Sequence, residues 1–310
     1  MKKLLLGLAV ILVVSFVSMN VVLADTLVVK QATLPTPRDA LSCAENSLTH
    51  KIYCFGGETG SGSFISQIVE YDPSQDARVV KSAALPSSKG HLNCVEDSST
   101  HKIYCFGGGR GSGSLENNIV EYDAANDRVT TKSATLPTPS YAFSCAENSL
   151  TNKIYCLGGY GPNYLNKIIE YTPATDQLIV KNAVLPGARS TLSCAEDSST
   201  HKIYCFGGEP SGQNQIVEYD AVSDVLVVKT APLPTPLKGL SCAENSFSHK
   251  IYCLGGRSSV LWSQILEYTP ATDTLKIQSA RLPFPRTLLS CAEDSSTSKI
   301  YCFGGETSSL

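Results

Sequence analysis

An all-β fold of repeated antiparallel sheets is predicted by three observations: a pattern recurring about every fifty residues, cysteines at a constant spacing, and turn chemistry between short β-rich segments. The pattern runs Leu-Ser-Cys-Ala-Glu, Lys-Ile-Tyr-Cys-Phe-Gly-Gly, Ile-Val-Glu-Tyr-Asp and Leu-Val-Val-Lys-x-Ala-x-Leu-Pro. Cys43/Cys54, Cys94/Cys105, Cys145/Cys156, Cys194/Cys205, Cys242/Cys253 and Cys291/Cys302 each stand eleven residues apart, and successive pairs begin 51, 51, 49, 48 and 49 residues apart. Such a period marks a solenoid or propeller whose units bury their faces against one another. Length alone suggests about two domains, but uniform repetition from residue 25 onward argues for one closed domain within the 310 residues.

The first segment stands apart from the repeats. Met1-Lys2-Lys3 precedes a mostly apolar run from Leu4 to Leu23 that ends Val22-Leu23-Ala24. A basic start, an apolar stretch and small residues at the end read as a secretory signal, residues 1–24, removed after Ala24. The run is nearly long enough to span a bilayer, so an uncleaved N-terminal anchor is the alternative and the only route to a membrane. Loss of this segment, with its two lysines and no acid, takes the formal charge from -3 to -5, which argues against a nucleic-acid partner. On an exported chain, twelve cysteines in equivalent pairs read as six disulfides.

Residues 25–310 hold the repeats. Residues 26–35 are a fourth-strand sequence standing ahead of the first complete unit. In that unit the β-rich segments are 41–44, 52–55, 68–71 and 78–81, joined by stretches such as Asp72-Pro73-Ser74-Gln75-Asp76 that suit tight hairpins. The mature chain holds no apolar period of 3.6 residues long enough for a helix, so each unit is a four-stranded antiparallel blade. If Cys43 faces Cys54, the first hairpin turns near Leu48 and Thr49, and the disulfide staples strand 1 to strand 2.

With these elements in place, the chain resembles a Kelch-repeat β-propeller. The matching features are the doublets closing strand 2 (Gly56-Gly57, Gly107-Gly108, Gly158-Gly159, Gly207-Gly208, Gly255-Gly256 and Gly304-Gly305) and the strand 3 tyrosines Tyr71, Tyr122, Tyr171, Tyr219 and Tyr268. The family's strand 4 tryptophan is replaced by aliphatics such as Val79, Ile179 and Val227, which suggests that the disulfides take over part of its packing. The resemblance implies six blades closed by the N-terminal strand 4, residues 26–35. Strands 1, 2 and 4 each occur six times but strand 3 only five, so the last blade is expected to lack strand 3. The stop at Leu310, before another Ile-Val-Glu-Tyr, reads in preference as truncation of a six-bladed protein or longer array.

Function is sought where the repeat fails. The 1-2 turns are near copies, as in Glu-Asp-Ser-Ser-Thr-His at 96–101 and 196–201, whereas the 2-3 loops at 58–67, 110–118, 160–167, 209–215 and 257–264 diverge. An up-and-down blade puts the 2-3 loops and the 4-1 connections on one face. That face gathers Arg110, Tyr160, Tyr164, Arg257 and Trp262 from the loops, with Arg38, Lys89, Tyr141, Arg189, Lys238 and Arg286 from the connections. Aromatic and guanidinium groups anchor interfaces and stack on sugar rings.

Other chemistry is poorly represented. His50, His101, His201 and His249 share a 1-2 turn position that Asn152 and Ser298 also fill, so they read as turn residues rather than metal ligands. The repeated glutamates, Glu45 and Glu70 with their equivalents, read as structural partners of strand 2 lysines such as Lys51. The glycine-rich stretch 107–113 lacks the helix and Gly-Lys-Ser/Thr of a phosphate loop, no Gly-x-Ser-x-Gly elbow occurs, and no cysteine is left unpaired as a nucleophile. Galactose oxidase-like oxidases of this fold use a Tyr-Cys crosslink and converging histidines, which the sequence does not supply. The expectation is a secreted, non-catalytic binding module without metal or cofactor, recognising a protein or glycan. The alternatives are a carbohydrate-active enzyme of the galactose oxidase-like or sialic-acid mutarotase type, or a structural cell-envelope protein.

Overall fold

The computed structural model describes residues 26–110, 114–210 and 213–307. The predicted signal and the stop at Leu310 lie outside them. Five four-stranded antiparallel blades form a propeller: Ser42–Asn46, Lys51–Phe55, Gln67–Asp72 and Ala77–Ala84; Asn93–Asp97, Lys102–Phe106, Asn118–Asp123 and Arg128–Thr135; Ser144–Asn148, Lys153–Leu157, Lys167–Thr172 and Gln177–Val184; Ser193–Asp197, Lys202–Phe206, Ile216–Asp220 and Val225–Val228; and Ser241–Asn245, Lys250–Leu254, Gln264–Thr269 and Thr274–Arg281. The sixth repeat contributes only the two-stranded sheet Ser290–Asp294 with Lys299–Phe303.

The predicted six blades are therefore corrected to five, and the segment 26–35 is not a strand. Its amides have no third strand to bond. The segment is held instead by the first blade, where Gln31 and Ala32 N–H donate to the Asp76 carboxylate at 2.9 and 3.4 Å.

The sixth hairpin nonetheless holds a place in the ring. Around the axis, Ala40 N–H donates to Leu288 O, Leu288 to Gly239, Gly239 to Thr191, Thr191 to Ala142, Ala142 to His91, and His91 back to Ala40. A second circuit runs through side chains: Cys94 N–H donates to Ser42 Oγ, Cys145 to Asn93 Oδ1, Cys194 to Ser144, Cys242 to Ser193, Cys291 to Ser241, and Cys43 to Ser290. Each unit is thus tied to its neighbours by bonds that water cannot easily replace.

The hydrophobic cores lie between blades. Tyr155, Leu157 and Ile168 of the third blade pack with Cys194, Ile203, Cys205, Val217 and Tyr219 of the fourth. Sandwiched on both faces, strand 2 is buried almost throughout and reads as a continuous Ile-Tyr-Cys-Phe run. Strand 4 is the outer edge, so Val79, Ile179 and Val227 stand 54%, 51% and 48% exposed and replace no tryptophan packing.

All six predicted disulfides are present: Cys43–Cys54, Cys94–Cys105, Cys145–Cys156, Cys194–Cys205, Cys242–Cys253 and Cys291–Cys302. Each joins directly opposed residues of strands 1 and 2, with Cα–Cα 4.0 Å. They belong to the scaffold, each stapling the first hairpin of its unit. The strand 2 partners Cys54, Cys105, Cys156, Cys205 and Cys253 are buried in the inter-blade cores, and Cys302, in the incomplete unit, is less deeply covered. The doublets sit where the chain leaves strand 2. Gly57 has φ 111°, and a Cβ there would stand 2.8 Å from Asp39 O, so both conformation and space require glycine.

Candidate functional site

The 2-3 loops and 4-1 connections meet at one mouth of the axis, joined by short antiparallel bridges. Asp39 lies opposite Glu58, Gly90 opposite Gly109, Tyr141 opposite Tyr160, Ser190 opposite Glu209, Lys238 opposite Arg257, and Thr287 opposite Glu306. The bridging residues occupy fixed positions, four before the strand 1 cysteine and directly after the doublet. The next residue in each connection takes positive φ (Ala40, His91, Ala142, Thr191, Gly239 and Leu288) and turns inward to line the axial channel of about 90 Å³.

One step of register separates the predicted site residues into two groups. Arg38, Lys89, Arg189 and Arg286 stand five before the cysteine and point into the scaffold; the first three are 4%, 0% and 1% exposed. Arg38 donates to Gly56 O and, at 2.7 Å, to Gln67 Oε1; Arg189 donates to Gly207 O and Gln215 Oε1; Arg286 donates to Gly304 O. Lys89 is paired with Glu116 at 2.8 Å and donates to Asn118. Burial pulls the Arg38 guanidinium down to about 10, and lowers Lys89 and Arg189 as well. Arg38 and Arg189 thereby clip the end of strand 2 to the start of strand 3, Lys89 ties its connection to the 2-3 loop and strand 3, and Arg286 holds the end of the sixth hairpin; buried in these bonds, Arg38, Lys89 and Arg189 are corrected from ligand-facing groups to scaffold. Tyr141 and Lys238, one position later, are bridging residues themselves, Tyr141 opposite Tyr160, which also bridges to Tyr164, and Lys238 opposite Arg257. Arg110 pairs with Glu116 at 2.9 Å on the outer rim, and the Trp262 indole donates to Ser258 Oγ at 3.1 Å.

The mouth is divided by chemistry into three sectors. The aromatic one joins Tyr141 and Tyr160 at 5.7 Å, Tyr160 and Tyr164 at 4.9 Å, and His91 and Tyr141 at 5.5 Å between ring centroids, all edge to face. Burial, then the neighbouring Tyr160 and Glu209, push the Tyr141 hydroxyl up, so it stays protonated at neutral pH. Burial likewise lowers His91, which is neutral there. The acidic sector brings Asp39 against Glu58 and Glu306; burial first, then those two carboxylates, push Asp39 up to about 6. The third sector holds Arg257 and Lys238, the latter paired with Glu209. Sequence reading passed over Asp39, Glu58, His91, Glu209 and Glu306. Their signal was available as the two bridging positions of each unit and, for His91, the residue after the first, which differ from unit to unit while the cysteines and glycine doublets beside them repeat.

The opposite end of the channel is regular. Ser47 donates to Glu96, Ser98 to Glu147, Ser149 to Glu196, Ser198 to Glu244, Ser246 to Glu293 and Ser295 to Glu45, through N–H and hydroxyl alike. His50, His101, His201 and His249 take φ of 52–55° at the turn, with Asn152 and Ser298 at the same position. Glu45, His50 and Asp294 come within 4.8 Å of one another, as do Asp197, Glu244 and His249, so the turn histidines do meet carboxylates of neighbouring units. Those carboxylates already accept bonds from the turns: Glu45 from Ser295, Glu244 from Ser198, and Asp294 from Ser296 and Thr297. The strand 3 glutamates face the strand 2 lysines, as in Lys51–Glu70 at 2.5 Å and Lys102–Glu121 at 2.7 Å. The described residues contain no free cysteine. No protein-family model and no curated protein matches the chain.

Proposed function

We propose that the chain is a Kelch-type propeller secreted into an oxidising compartment, where it acts as a non-catalytic binding module whose mouth recognises a glycan or a protein. The observation that carries this reading is the Tyr141–Tyr160–Tyr164 cluster with His91, present at one place in the ring where the other units offer Asp39, Gly90, Ser190, Lys238 and Thr287. Flanked by an acidic and a basic sector, it offers a stacking platform with polar groups of both signs within reach. Six disulfides support export, because such bonds persist where thiols are oxidised. A glycan array and pull-down from an extracellular fraction, using wild type and Tyr160→Ala, test the reading. Retained ligands are expected to be lost at least tenfold with Tyr160→Ala and kept with Phe247→Ser on the opposite face. Turnover of a captured sugar, or indifference to Tyr160→Ala, would defeat it.

A further inference from the structure

Each boundary between neighbouring units, at the end of the channel opposite the mouth, brings three side chains to fixed places. Strand 1 of one unit supplies its glutamate, the turn that follows supplies the residue held at positive φ, and strand 1 of the preceding unit ends in aspartate or asparagine. Aspartate, glutamate and histidine coincide at two of the six boundaries. Asp294 meets Glu45 and His50 where the sixth hairpin joins the first blade, and Asp197 meets Glu244 and His249 between the fourth blade and the fifth. In each set one imidazole nitrogen and two carboxylate oxygens all lie within 4.8 Å of one another. The other boundaries lack a member. Asparagine replaces the aspartate beside Glu96 and His101 and beside Glu196 and His201, Asn152 replaces the histidine beside Asp97 and Glu147, and Glu293 stands with Asn245 and Ser298.

Both complete sets are carried by rigid elements. Glu45 and Glu244 lie within strands, Asp294 and Asp197 end theirs at 2% exposure, and the two histidines take φ of 53° and 52° in tight turns. His50 Nδ1 stands 3.2 Å from Glu45 Oε1, and His249 Nδ1 3.4 Å from Glu244 Oε1. The bonds these glutamates accept from serine and histidine all fall on Oε1, which leaves Oε2 without a hydrogen-bond partner among the described residues. Oδ2 of each aspartate accepts one bond, from Thr297 or Thr200, and keeps a second lone pair. Atoms bound about 2.1 Å from a tetrahedral ion stand about 3.4 Å apart, so a side-chain adjustment, easiest for the part-exposed histidines, closes either set on one ion. One imidazole among carboxylates suits Zn2+ and similar ions better than Ca2+ or Mg2+, which take oxygen ligands.

We propose that these two sets are sites for a divalent transition-metal ion such as Zn2+, which ties adjacent units together across the ring. Glutamate and aspartate supply one oxygen each, the imidazole supplies a nitrogen and keeps its proton on the other, and solvent completes the coordination. One ion clamps the sixth hairpin to the first blade, and the other clamps the fourth blade to the fifth. Both lie at the opposite end of the channel from the aromatic mouth, so the inference stands apart from the glycan or protein reading.

The test is isothermal titration calorimetry with ZnCl2 on the untagged, disulfide-intact chain freed of metal by chelator, with metal analysis after dialysis. Two ions per chain are expected. His50→Asn and His249→Asn should each reduce the count to one, and the double variant should bind at least tenfold more weakly than wild type. Asn152→His, which completes the set with Asp97 and Glu147, should raise the count to three. These exchanges keep the fold, because histidine and asparagine already serve at this turn position in different units, with φ of 51–55°. Zn2+ should also raise the Tm of wild type and leave that of the double variant unmoved. Failure to bind Zn2+, a count unmoved by either histidine variant, or an Asn152→His chain that takes up no further ion overturns the proposal. So does an ion that binds without raising Tm, since it then clamps nothing.

Discussion

At the residue scale, two repeated glutamate positions have opposite electrostatics. Burial alone would raise Glu70, Glu121, Glu170 and Glu218, but hydrogen bonds from two lysines to each outweigh it and hold them below the ordinary carboxylate range. The glutamates after strand 1 accept only from serine, and from histidine in some units. Burial, reinforced by neighbouring carboxylates, pushes Glu96 up to about 8 and Glu147 and Glu293 to about 7. The signs for stability follow. The strand 3 set stabilises above the ordinary carboxylate pKa and loses that contribution as pH falls, whereas the axial set stabilises below it and loses its contribution as pH rises toward 8. Glu96→Gln is therefore expected to flatten the decline in Tm between pH 5.5 and 8.5, by the equivalent of about 1–3 kcal/mol. An unchanged slope in thermal melts across that range would show that Glu96 keeps its charge in the fold. Both glutamate positions were legible as structural from their repetition. Which of them faced the lysines was not, because facing depends on cross-strand register that composition does not encode.

At the element scale, strand 3 is the hub of each blade. Its glutamate joins strands 2 and 4, its tyrosine packs on the preceding blade, and five residues further on an aspartate with positive φ latches that blade's strand 4. In the second blade the Tyr122 hydroxyl donates to Asp127 at 3.0 Å, and Ser82 N–H and Oγ donate to the other oxygen at 3.0 and 2.8 Å. Asp76, Asp176, Asp224 and Asp273 repeat the latch, which was readable as a fixed Tyr-to-Asp spacing but hidden among ordinary turn aspartates. Glu121→Ala leaves Lys102, Lys132 and Tyr104 without their acceptor and is expected to cost about 2–3 kcal/mol in chemical denaturation, against about 1–2 kcal/mol for Asp127→Ala. Asp76→Ala has a different expected signature. It frees residues 26–34, which no ladder holds, so trypsin should cut after Lys30 several-fold faster while the cooperative melt moves little. The sequence pattern of a strand was present at 26–35, but a strand exists only where a partner bonds it.

At the scale of the whole molecule, the ring alternates as well as repeats. Asn46, Asn148 and Asn245 donate to the carbonyls of His101, His201 and Ser298 in the next unit, while Asp97, Asp197 and Asp294 close their own turns through serine and threonine. The sixth hairpin keeps this alternation and both axial circuits, so it belongs to the closure although it lacks two strands' worth of sheet. Each disulfide closes a short loop and contributes about 2–3 kcal/mol, but the surroundings differ. Cys145–Cys156 is supported by a complete blade, as are Cys94–Cys105 and Cys242–Cys253, whereas Cys291–Cys302 staples a two-stranded sheet of the kind that is marginal by itself. Replacing Cys145 and Cys156 by alanine is expected to lower global stability by that amount while leaving the pattern of hydrogen exchange even around the axis. Replacing Cys291 and Cys302 should instead open the ring at one place. The amides of Ala40 and Leu288, whose bonds cross the closure, should then exchange at least tenfold faster than that of Ala142, measured in the native state. Equal acceleration at all six axial amides would mean that the ring opens only as a whole, and that the incomplete unit is as firmly built in as the five complete ones.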